Sequence, residues 1–143
     1  MIIDKSLQLA SAQSFAAVGN TAKYSTNWID LSTVGTQIYE SAPYLIVRVG
    51  TAFTNGTSAL FELISATAPA TNVDGTSLGT PTIEASSGAI LTAALTADTI
   101  VWALRLPETI DRRYLGVKIT VVGTMNAGTI DIDMTPHIPL AAV

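Results

Sequence analysis

The chain has 143 residues, enough for one domain that buries roughly 70% of the surface its unfolded form exposes. It has no cysteine, which excludes disulfides, thiolate metal sites and thiol nucleophiles and allows folding in a cytoplasm. Only 13% of its residues are charged, against about 25% in an ordinary soluble domain, and the formal charge of −4 with scattered bases argues against gripping a nucleic-acid backbone.

The opening Met1-Ile2-Ile3-Asp4-Lys5 has an acid where a secretory signal needs a basic region, so the chain is expected to be mature as written. Short strand-like runs follow at Leu7 to Ala10, Ser14 to Val18 and Trp28 to Leu31, where small residues blur the alternation. Trp28 is opposite in parity to Ile29 and Leu31, which places its ring on an exposed face or at a subunit contact. Pro43 suits the first position of the next strand, in which Leu45, Val47 and Val49 face a core and Arg48 points outward. Asn55-Gly56 is turn chemistry, a better reading than the glycosylation sequon it completes with Thr57.

Phe61 and Leu63 are expected inward opposite Glu62. Ala66 to Gly88, with Asp74-Gly75 inside it, reads as the longest loop, followed by a weak strand at Ala89 to Leu95. Trp102, Leu104 and Leu106 then face inward opposite Arg105, and Leu115, Val117, Ile119 and Val121 opposite Lys118. After a turn at Asn126 to Gly128, Ile130, Ile132 and Met134 alternate with Asp131 and Asp133, the pattern of a sheet with one wet face. The tail from Pro136 to Val143 carries two prolines and no Asp, Glu, Lys or Arg, and reads as an extended arm. The expectation is therefore an all-β fold: a single-domain, jelly-roll-like β-sandwich of about eight strands over 1–135, with an arm over 136–143. No apolar run approaches the roughly 20 residues that span a bilayer, so no membrane segment is expected.

Chemistry finds little foothold. His137 is the single histidine and lies between Pro136 and Pro139 near the chain end, a poor mount for a general base. Asp131 and Asp133 share a strand face; they can be read as a calcium or acid–base pair, or as an exposed sheet face opposite Lys118 on a neighbouring strand. No phosphate loop, dinucleotide fingerprint or nucleophile elbow occurs, so neither an enzyme nor a cofactor site is expected. Asp111-Arg112-Arg113 reads as a charged bend with local ion pairing, or as an interface contact in which arginine grips a partner carboxylate. Trp28 also raises a carbohydrate- or receptor-binding module as the alternative.

Five pieces in order, Met1-Ile2-Ile3-Asp4 with Leu7-Gln8-Leu9, Trp28-Ile29-Asp30-Leu31, Pro43-Tyr44-Leu45-Ile46-Val47 with Thr51-Ala52-Phe53, Leu104-Arg105-Leu106-Pro107, and Arg113-Tyr114-Leu115-Gly116-Val117, carry a family likeness. Over nearly its full length the chain resembles the capsid cement, or decoration, proteins of tailed phages in the family first recognised on a Bordetella phage. The resemblance implies a jelly-roll subunit, made in the bacterial cytoplasm, that trimerises on the outer capsid surface where capsomers meet and clamps the major capsid protein. Candidate interface residues are Ile2, Ile3, Trp28, Arg112, Arg113, Ile138 and Leu140.

Overall fold

The computed structural model describes residues 7–32 and 44–136. They hold ten strands in chain order: β1 (Gln8–Ser14), β2 (Gly19–Tyr24), β3 (Ile29–Asp30), β4 (Tyr44–Val49), β5 (Thr54–Asn55), β6 (Ser58–Ala66), β7 (Pro81–Leu91), β8 (Ile100–Arg105), β9 (Tyr114–Ala127) and β10 (Thr129–Thr135). One sheet runs β1-β10-β4-β8 and the other β2-β9-β6-β7, with the two-residue strands β3 and β5 both paired to β9. Setting β3 and β5 aside, the first strand pairs the last, the second the seventh, the third the sixth and the fourth the fifth, all antiparallel. That nested order is a long hairpin rolled across two sheets, the jelly roll, and it confirms the expected β-sandwich.

Alternation builds the core from both inner faces. Leu45, Val47 and Val49 of β4 are fully buried, as are Ile130 and Ile132 of β10, while Phe61 and Leu63 of β6 meet Leu115, Val117 and Ile119 of β9 from the second sheet. Val47 lies in register with Ile132 and Trp102, which puts Trp102 of β8 inward and partly buried against the core. Phe15, Phe53, Leu95 and Met125 are also in the cluster, with the Phe15 and Phe53 rings 5.7 Å apart. Between β5 and β6, Asn55 and Gly56 take φ of 60° and 65°, but both strands run antiparallel to β9 and follow it in one direction, so the expected turn is a left-handed kink along β9 and not a chain reversal.

Three expectations fail, each at a sheet edge. Ser14 to Val18 is not a strand: β1 runs on to Ser14, and the chain turns through Ala17 at φ 64°. The cause is a bulge. Register shifts on either side of Ala10, with Ala12 at φ 48°, break the period of two that the sequence reading relied on. The following strand, β2, was not anticipated, because an edge strand reading Gly-Asn-Thr-Ala-Lys-Tyr is mostly half-buried or exposed and shows no apolar face. The expected loop from Ala66 to Gly88 contains most of β7, an eleven-residue strand paired with β6 along one edge only; two register shifts and a Ser/Ala/Gly-rich sequence hide it. Only 67–80 is loop, and Ala89 to Leu95 divides between the end of β7 and a 3-10 turn at Thr92–Ala94. Pro43 and, of the arm expected over 136–143, residues 137–143 with His137 lie outside the described residues.

Candidate interaction surface

The corner where the chain enters β9 gathers three of the expected interface residues. Ile29 and Asp30 of β3 pair with Leu115 and Tyr114, which brings the preceding Trp28 over the outer face of β9. Gly116 makes room for it: a Cβ there would lie 2.7 Å from three carbons of the Trp28 ring. The ring thus takes the space of the missing side chain and is half-buried, with its Nε1 buried and lacking a hydrogen-bond partner.

Arg113 is engaged within its own chain. Its Nε and Nη2 donate to the two carboxylate oxygens of Asp30, both at 2.9 Å, and its guanidinium lies 5.0 Å from the centre of the Tyr114 ring. Ser32 adds N–H and O–H donors to Asp30 Oδ1 at 3.0 and 2.8 Å. The Arg113 hydrogen bond, followed by that of Ser32, holds the Asp30 carboxyl well below the usual carboxylate range, and Asp30 in turn raises Arg113. This is local ion pairing at the bend, one of the two readings of the corner, and the carboxylate that Arg113 grips is Asp30 of β3.

Arg112 is less engaged. Its backbone N–H donates to Ser65 Oγ at 3.2 Å, and Ser65 Oγ donates to Glu84 Oε1 at 2.6 Å, which also accepts from Asp111 N. Its Nε lies 3.0 Å from Asp111 Oδ2 but finds no hydrogen-bonding partner, so the contact is one of charge alone between half-exposed groups and contributes little.

The carboxylates of β10 occupy the outer face of the first sheet. Lys118 belongs to β9 in the other sheet, so it does not face them; the cation opposite Asp131 is Arg48 of β4. Asp131 Oδ1 accepts from Ala12 N at 2.7 Å and so holds the bulge of β1. Asp133 faces Gln8 and Ile46 in register, and only 8% of it is exposed, so this face is not uniformly wet. Burial, then the neighbouring charge of Asp131, raise its carboxyl to about 6 against the opposing pull of Gln8 and Arg48.

The second sheet's outer face carries what the sequence reading missed. Ile83, Leu91 and Val122 are 58%, 64% and 48% exposed, the large apolar residues most open to water among those described. Leu91 and Val122 flank Ser58 in one register row, and Ile83 and Gly116 flank Ile64 in another. Between the rows stand Glu62 and Lys118, paired in register, with Glu62 only 9% exposed despite its outward position. Parity along β9 would have signalled Val122, since Val121 faces the core; β7 offered no alternation from which to place the other two.

Among the described residues no three His, Cys, Asp or Glu side chains group as metal ligands, and no helix is long and apolar enough to cross a membrane. Ile2, Ile3, Ile138 and Leu140 lie outside the described residues. The family model described as Bbp16 matches residues 9–134. No curated protein matches the chain.

Proposed function

We propose that this chain, which belongs to the Bbp16 family of phage proteins, is a non-enzymatic capsid cement protein that trimerises on the outer head surface and clamps the major capsid protein where capsomers meet. The observation that carries the reading is the family match over 9–134, in a chain whose described part is one jelly roll. The surface supports it. A second-sheet face bearing Ile83, Leu91 and Val122 with one acid and one base in register is suited to burial against protein with little ion desolvation. A closed trimer presents each contact three times around one axis, and such multivalency raises avidity by about 10²- to 10⁴-fold without strong individual contacts.

The carbohydrate- or receptor-binding alternative has less support, because Trp28, its best stacking platform, has one ring face against Gly116. The deciding experiment incubates purified protein with undecorated heads and counts bound copies per capsid while light scattering reports its mass in solution. Saturation at a fixed copy number, by a trimer, is the expected result. Heads that stay bare across micromolar protein would sink the cement role, and a monomer mass at all concentrations would sink the preassembled trimer.

A further inference from the structure

Asp133 sits in surroundings that suit a proton better than a charge. Its Oδ1 is buried and without a hydrogen-bond partner, although the residue lies on an outward-facing position of β10. The described groups around it are few. On β1 it faces Gln8, which brings an amide; on β4 it faces Ile46, with Arg48 two residues further along; on its own strand Asp131 projects from the same face. Asp131 is already engaged by Ala12 N–H, at the bulge where β1 departs from regular pairing.

The strand held by these two acids is the weakly registered one. β10 pairs β4 through six consecutive residues, whereas its pairing with β1 is interrupted on both sides of Ala10. An ionised Asp133 adds a second negative charge beside Asp131 under the Gln8 end of β1, with one oxygen unserved. Swinging that end of β1 away lets water reach the carboxylate.

We propose that Asp133 is a proton-operated latch for β1: protonated, it seats the Gln8 end of the strand on β10, and ionised, it shifts that end toward a locally open form. A metal ion is a poorer occupant than a proton. Among the described residues only two carboxylates converge, Arg48 lies beside them, and the unserved oxygen is closed off from the surface. The closed form titrates near 6 and an opened, solvated carboxyl near its usual 4, so the opening equilibrium rises between about pH 4 and about pH 6 and levels off above. A carboxyl titrating near 6 rather than near its usual 4 alters the opening equilibrium by up to about 100-fold.

Amide hydrogen exchange on the full chain, corrected for the intrinsic pH dependence of exchange, tests this. Between about pH 4 and pH 7 the amides at the Gln8 end of β1 should lose about 10- to 100-fold of their protection while staying less protected than those of β6 at every pH. Asp133→Asn should hold protection at its acid value throughout. The proposal is overturned if Asp133→Asn keeps the pH dependence of the parent, or if the Gln8-end amides are as protected as those of β6, so that they open only when the whole chain unfolds. A second measurement stands should that variant not fold. The Asp133 carboxyl carbon, followed by NMR, should titrate near 6, and Asp131→Asn should lower that midpoint; a midpoint near 4, or one that Asp131→Asn does not lower, overturns it equally.

Discussion

Replacing Gly116 by alanine tests the packing on which the Trp28 corner depends. The added methyl would meet Cδ2, Cε3 and Cζ3 of Trp28 at 2.7 Å, far inside the roughly 3.5 to 4.0 Å at which carbon atoms attract. These atoms belong to the fused body of a rigid ring, so the clash is relieved only by moving the whole indole, and Ile29 and Asp30 beside it pair directly with β9. Overpacking of this kind costs about 1 to 3 kcal/mol, and a value near 2 lowers the urea midpoint by about 1 M. With the ring removed in Trp28→Ala, the same methyl has open space. The double variant should therefore be more stable than the sum of the single changes implies, by about 1 to 2 kcal/mol. Urea unfolding followed by circular dichroism gives the cycle, and in a Trp102→Phe background the emission of Trp28 should shift to the red when Gly116 becomes alanine. Additivity within about 0.5 kcal/mol would refute the claim that the ring excludes a side chain at 116.

Two carboxylates should act on stability with opposite sign. Asp30 is held low by Arg113, so its contribution is present above the ordinary carboxylate range and is lost as pH falls through its folded value; Arg113→Ala should make the loss of stability below about pH 4 less steep in acid titration, and curves of equal slope would mean that the fork contributes nothing. Asp133 is raised, so the native chain binds its proton more tightly than the unfolded one and stability falls as pH rises from about 4 to about 6; Asp133→Asn should flatten that segment of a plot of urea midpoint against pH. Phe61→Ala should cost about 3 to 5 kcal/mol in urea melts, because the ring is fully buried between the sheets. Leu91→Ser, at an exposed position, should change stability by no more than about 0.5 kcal/mol yet reduce the number of copies bound per head, and unaltered decoration would remove the second-sheet face from the proposed contact.

The strands that carry the core were legible because they lie in the middle of their sheets. β4, β6, β9 and β10 each have neighbours on both edges, so one face must be apolar along the whole strand, and Val47, Phe61, Val117 and Ile132 report it at a period of two. The positive φ at Asn55-Gly56 was legible for a different reason, since few other residues tolerate those backbone angles; that the chain there runs on along β9 was not. Edge strands obey no such demand. β2 and β7 are held by one neighbour, and a bulge in β1 or β7 resets parity without any mark in composition.

By itself the sequence determined an all-β sandwich, its central strands and its family likeness, because each follows from local chemistry or alternation along one strand. Which charges meet was decided by tertiary structure. Arg113 finds Asp30 from 83 residues away, Lys118 lies in a different sheet from Asp131, and Gly116 makes sense only once Trp28 is laid across it. The burial of Asp133 was likewise invisible: strand parity says which way a side chain points, and only the packing of other elements says whether water reaches it.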